Sequence, residues 1–213
     1  MKTDELVTLL ATGGGAVEPN VVARRYALSL GWGVFGATLL MAILLGVRSD
    51  LDTAARLPMF WIKLVFPASV AIASLIAASR LSRPGVRLGG TRAATVAPVL
   101  VVWLYAAWVL LDAPAAERPD LVMGRTWKYC LVGIPTLAVP VFVATLRAMK
   151  GLAPTRLSLA GAVAGLLAGA IAALVYALHC PEMEAPFIGV WYVIGMLIPA
   201  AIGAVLGPLV LHW

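Results

Sequence analysis

The chain has 213 residues, of which 62% are hydrophobic and 12% charged, with a formal net charge of +6. That apolar share lies far above the roughly 45–50% of soluble domains and excludes an ordinary water-soluble fold. The basic excess does not indicate direct nucleic-acid binding, because the lysines and arginines are spread over short stretches between long apolar runs.

Residues 1–25 form an N-terminal segment. Thr3 can cap a short helix with Asp4 and Glu5 in its first turn, where the helix dipole favours acids. Leu6, Leu9 and Leu10 recur at i, i+3 and i+4 and make one apolar stripe. Gly13-Gly14-Gly15 is expected to stop this helix, and about eight residues are marginal as an isolated helix in water. Such a segment is expected to dock on the rest of the chain, fold on a partner or stay unstructured. A cleavable signal peptide is not expected, since the first apolar run begins only after Arg24-Arg25 and is long enough to span.

Uncharged runs follow at 26–47, 93–111, 129–146, 157–178 and 187–211. Each is long enough to cross a hydrocarbon core, which takes about 20 residues. A sixth run, 58–79, is broken only by Lys63, whose stem is expected to carry its ammonium back to the interface. Lipid leaves backbone groups no water, so these runs predict helices. The expected fold is an all-α bundle of six transmembrane helices over 26–213.

Charge sets the expected orientation. With the N-terminus in the cytoplasm, the inside segments carry Lys2, Arg24, Arg25, Arg80, Arg83, Arg87, Arg92, Arg147, Lys150 and Arg156. The outside segments carry Arg48, Arg56, Arg118, Arg125 and Lys128, so the balance is ten against five, as the positive-inside rule requires. Six spans then return the C-terminus to the cytoplasm, with only His212 and Trp213 beyond the last one.

Several features inside this frame have structural readings. Residues 80–92 hold four arginines and no acid, and read as a solvated loop near anionic membrane lipid. Pro67, Pro135, Pro140 and Pro199 are expected to kink their spans. Trp61, Trp108, Trp127, Tyr129, Tyr176, Trp191 and Tyr192 gather near outward ends as an aromatic belt. Gly161, Gly165 and Gly169, with Gly203 and Gly207, repeat every fourth position and suit close helix packing within the bundle or in a homodimer.

Chemistry concentrates at the two cysteines. Cys130 heads the fourth span, and Cys180 follows the fifth within His179-Cys180-Pro181-Glu182. Both fall on the outward side at one depth. They could form a disulfide, which needs Cα atoms roughly 4.4–6.8 Å apart. They could instead bind a transient soft metal ion, with His179 and Glu182 or Glu184 nearby, although no standard zinc spacing is present. Lys128 and His179 could lower a thiol pKa. Small packing hydrophobes are the remaining reading. No CxxC, GxSxG, HExxH or P-loop occurs, so a non-enzyme with no required cofactor is expected. A small transporter or efflux component is the alternative, and a membrane thiol oxidoreductase ranks below it. Transport is weakened by the lack of an Asp, Glu or Arg in the central part of any span.

Met1-Lys2-Thr3-Asp4-Glu5-Leu6, Phe60-Trp61-Ile62-Lys63-Leu64, Cys130, His179-Cys180-Pro181-Glu182, Pro186-Phe187 and Trp191-Tyr192 together resemble the NrsF family of bacterial anti-sigma factors over essentially the whole chain. The resemblance implies a multi-pass protein of the inner membrane that holds an extracytoplasmic-function sigma factor inactive. It implies sigma contacts at Lys2, Asp4, Glu5, Leu6, Leu9 and Leu10. It also implies perception of heavy-metal or oxidative stress at Cys130 and Cys180, with His179 and Glu182 as further candidates.

Overall fold

The computed structural model describes residues 3–13, 20–83, 85–152 and 154–212. Lys2, the side chain of Leu10, Gly14, Gly15 and Trp213 lie outside the described residues. Helix α1 is Thr3–Gly13. Six long helices follow: α2 Val21–Leu44, α4 Pro58–Leu81, α5 Thr91–Asp112, α7 Trp127–Lys150, α8 Leu157–Ala177 and α10 Val193–Val210. Short helices α3 Leu51–Ala54, α6 Arg118–Met123 and α9 Ala185–Phe187 fill the connections, and a π turn, Ile188–Tyr192, leads into α10. The described residues contain no strand, and six helical segments are long and apolar enough to cross a membrane.

The expected runs match these helices with shifted ends. The first span starts at Val21, so Arg24 and Arg25 belong to α2 itself. Helix α1 reaches Gly13, and Thr8 and Thr12 return their hydroxyls to the carbonyls of Asp4 and Thr8. Leu6 and Leu9 are exposed on it.

Helix α8 is the centre of the bundle. It packs on α10, α4 and α7, while α2 lies on α7 and α5 on α4. Its alanines and glycines make this possible. A Cβ on Gly165 would stand 2.8 Å from the Ala200 Cα, and one on Gly169 would stand 2.8 Å from the Met196 Cα. Gly161 likewise meets the backbone of Gly203 and Gly207. The two glycine rows are therefore packed on each other inside the chain, the within-bundle use of the two the spacing allows. Backbone approach of this kind multiplies dispersion contacts, a main source of helix association where lipid removes the hydrophobic drive.

The bundle has two distinct ends. At one, Tyr26 and Ser82 share a buried hydroxyl hydrogen bond of 2.8 Å, and the arginine-rich α4–α5 connection and Arg156 of the α7–α8 connection lie at the same end. Tyr26 is thus a core residue rather than an interfacial one. At the other end, the C-termini of α2 and α8 meet the N-termini of α4 and α7. Trp61, Trp108 and Tyr129 are exposed there, as the belt requires.

Gly165→Val should lower the thermal stability of the detergent-solubilised chain by about 3 kcal/mol or prevent folding, since overpacking meets backbone rather than a movable side chain. Gly31→Ala, which meets nothing within 4 Å, should melt at or above the parent temperature.

Candidate functional site

Cys130 sits in the first turn of α7, its amide donating to the Thr126 carbonyl at 3.2 Å. Cys180 lies just beyond α8. The amides of His179 and Cys180 both return to the Tyr176 carbonyl at 3.0 Å, and Pro181 prevents a further helical turn. Because α7 packs on α8, the two sulfurs come within interaction range of each other. Both are free thiols and both are 0% exposed. The two thiols lie in the core rather than at an open surface.

Tyr176 and Tyr192, expected in the interfacial belt, are instead fully buried around this pair, their rings edge-to-face at 6.1 Å. Their hydroxyls make no regular hydrogen bond among the described residues. The groups they face are sulfurs, Cys130 for Tyr176 and Cys180 for Tyr192. Sulfur is a weak acceptor, so this arrangement leaves two strong donors underused beside the thiols. Gly133 makes room for the Tyr176 ring, which a Cβ would meet at 2.7 Å.

The segment 178–184 is held from several sides. Lys63 donates from Nζ to the carbonyls of Cys180 and Glu182, both at 2.7 Å. Its ammonium also sits 5.6 Å from the Tyr192 ring centroid. The side chain is wholly buried, so it turns into the protein instead of reaching back to the interface as expected. Arg48 reaches the same Cys180 carbonyl from Nη1 at 3.2 Å, and its amide donates to the Leu178 carbonyl at 3.1 Å. Two further 2.7 Å bonds pair Arg48 with Asp50, whose carboxyl they hold below its ordinary pKa. His179 Nδ1 lies 2.9 Å from the Gly46 carbonyl. Glu182 Oε1 accepts from the Arg125 amide at 2.8 Å and from the Thr126 hydroxyl at 3.3 Å. Gly124, at φ +54°, is required here, since a Cβ would meet the Phe187 ring at 2.6 Å.

This surrounding holds the Cys180 thiol below its ordinary pKa. The chief cause is the hydrogen bond from the Cys130 thiol, opposed by burial and assisted by the Lys63 charge, the Glu182 amide and the Tyr192 hydroxyl. The supporting cation is Lys63; Lys128, expected in that role, lies 5.5 Å from the Trp127 ring centroid. The wider metal set is not assembled, because His179 and Glu182 are engaged by backbone groups and Thr126. Among the described residues no cluster of three or more His, Cys, Asp or Glu could hold a metal ion. Two sulfurs remain as soft donors. Asp4, Glu5, Leu6 and Leu9 belong to α1, which precedes the opposite end of α2.

Sequence reasoning missed Lys63, Arg48, Thr126, Tyr176 and Tyr192 as members of this cluster. Lys63 carried a usable signal: a lone charge in an apolar span is by default functional. The tyrosines carried none, because interfacial and core tyrosines look alike in sequence.

The family model described as negative regulator of sigma F matches residues 10–213. A protein of Azospira oryzae named probable anti-sigma-F factor NrsF is 57% identical over the full length of both chains. One of Caulobacter vibrioides named anti-sigma-F factor NrsF is 37% identical, again over the full length of both. No solved structure matches.

Lys63→Met should free the Cys180 and Glu182 carbonyls and, at a pH where the thiol is fully ionised in both, speed alkylation of Cys180 by a small thiol reagent. In the parent chain, with Cys130 intact, the alkylation rate should stop rising with pH at a point below the ordinary thiol value of 9.0, and Lys63→Met should move that point upward. Rate against pH, followed by mass spectrometry, checks both.

Proposed function

The chain belongs to the family of negative regulators of sigma F, and we propose that it is itself a membrane anti-sigma factor gated by its two cysteines. It sequesters an extracytoplasmic-function sigma factor at the bacterial inner membrane. Both termini face the cytoplasm, as the ten-to-five basic balance favours. The sigma factor is held by the N-terminal segment, through Lys2, Asp4, Glu5 and the stripe of Leu6, Leu9 and Leu10. Support comes from full-length relatives carrying the anti-sigma name and from exposed leucines on α1, which offer an amphipathic helix to a partner groove.

The observation that carries the gating is a pair of buried free thiols beneath a loop whose backbone is held by Lys63 and Arg48. Oxidative stress joins Cys130 and Cys180 in a disulfide. The two thiols give up two protons and two electrons to an oxidant such as a peroxide, which is reduced to water or an alcohol. A soft heavy-metal ion acts differently, displacing both protons and bridging the sulfurs. Either event changes the charge and spacing beside the Lys63 ammonium. The 178–184 segment then loses its fit against α4 and α7, and the spans lean into a packing that releases the sigma factor. A ligand shifts such an equilibrium only by binding the two packings unequally. A nearly complete switch takes roughly a 10⁴-fold difference. The role is regulatory and needs no catalytic group.

Membranes bearing the full chain and its sigma factor should release the factor on treatment with cadmium or diamide. Cys130→Ser with Cys180→Ser should retain it and no longer respond. Normal release by this double variant would end the gating assignment. Leu6→Ala with Leu9→Ala should weaken retention by roughly tenfold or more, read by co-purification, while the melting temperature of the membrane domain stays unchanged.

A further inference from the structure

The basic end of the molecule carries a recess that the proposed gating does not use. It has a volume of about 520 Å³ and is lined by Arg83, Arg87, Arg92 and Arg156 with Leu88 and Gly89. The loop forming its wall is fixed. Arg80 Nη1 and Thr91 Oγ1 both donate to the Leu88 carbonyl at 2.7 Å, and Gly89 takes φ +54°. Four arginines therefore line one concavity with no acid in its lining. The Arg48–Asp50 ion pair lies at the opposite end of the bundle. Uncompensated like charges repel, so such a grouping is stabilised by an anion with several acceptor oxygens, and arginine forks suit phosphate.

A second, independent feature lies on the same two helices. Between α4 and α5 runs a groove of about 770 Å³ whose lining is almost entirely apolar and includes Ile62, Phe66, Ala94, Ala97, Val101 and Tyr105. On α5 the lining residues follow one face along the span. The basic recess sits where α4 ends and α5 begins, and the groove starts at Ala94, just past Arg92, and runs along α5 to Tyr105 against the first half of α4.

We propose that this pair of features is a binding site for an acidic phospholipid, its phosphate in the four-arginine recess and an acyl chain in the α4–α5 groove. A soluble phosphate would use only the recess, and an acidic protein segment would leave the apolar groove unexplained. Basic residues near a membrane surface each add to anionic-lipid attraction, and four in one concavity make the preference strong.

The test uses the delipidated full chain in detergent, titrated with phosphatidylglycerol, phosphatidylcholine or inorganic phosphate and read by native mass spectrometry and thermal shift. Phosphatidylglycerol should bind roughly tenfold or more tighter than phosphatidylcholine. Arg83→Gln, Arg87→Gln, Arg92→Gln and Arg156→Gln together should remove that preference, and the four lysine replacements should keep part of it. Ala97→Phe, which plugs the groove, should weaken phosphatidylglycerol binding without altering the helical circular dichroism. Should the glutamine variant not fold, the comparison of lipids on the parent chain and Ala97→Phe decide. Equal affinity for the two lipids would overturn the proposal, as would inorganic phosphate binding as tightly as phosphatidylglycerol. Loss of the sigma factor from the glutamine variant with its lipid preference intact would assign the recess to an acidic partner segment instead.

Discussion

A single ammonium group organises one end of this molecule. Lys63 is buried within a helix long and apolar enough to cross a membrane, where an unpaired charge is expensive. Two backbone carbonyls at 2.7 Å, the Tyr192 ring and the Cys180 sulfur offset that cost. The carbonyls belong to Cys180 and Glu182, so satisfying the lysine fixes the loop between α8 and α9 against α4. Arg48 then adds α2, and Glu182 adds α7 through Arg125 and Thr126. Cys130, Cys180 and the two tyrosines are packed beneath the result.

The arrangement is sensitive because its members share partners, and two tyrosine hydroxyls have only the sulfurs beside them. A buried polar network that is fully connected is firm, and one that loses a member leaves the others desolvated and unpaired. In the proposed gating, a change at the sulfurs is felt by the ammonium and by two tyrosine hydroxyls that have no better partner. Helix α8 leads from Cys180 toward the basic end and lies backbone to backbone on α10. A helix packed on glycines has little slack, so a displacement at one end is passed along the pair rather than absorbed by side chains. In the proposed function the partner surface is α1, and the proposed lipid site is the α4–α5 corner of the basic end.

The six spans were legible because lipid imposes one constraint, a long uncharged run, that sequence states openly. The glycine rows were also legible as packing faces, but not their partner, since a small-residue ridge looks the same whether it meets a helix of its own chain or of a copy. Cys130 and Cys180 could be placed on one side of the bundle at one depth from span counting alone. Their burial could not, because it depends on how the 178–184 segment folds over them. That fold is set by Lys63 and Arg48, which are distant in sequence from it, and by Glu182 within it, which reaches Arg125 and Thr126; no spacing rule links these residues. Lys63 was misassigned because a lysine near a span end can snorkel outward or turn inward. Only the carbonyl partners in the loop after α8 decide between the two.

The most direct test of the account follows one sample at both ends. Hydrogen–deuterium exchange would be measured on the full chain bound to its sigma factor, before and after a short bifunctional thiol reagent bridges Cys130 and Cys180. The account predicts faster exchange in 178–184 and, together with it, loss of protection in α1 as the sigma factor departs. Bridged cysteines with the sigma factor still bound and α1 still protected would contradict it.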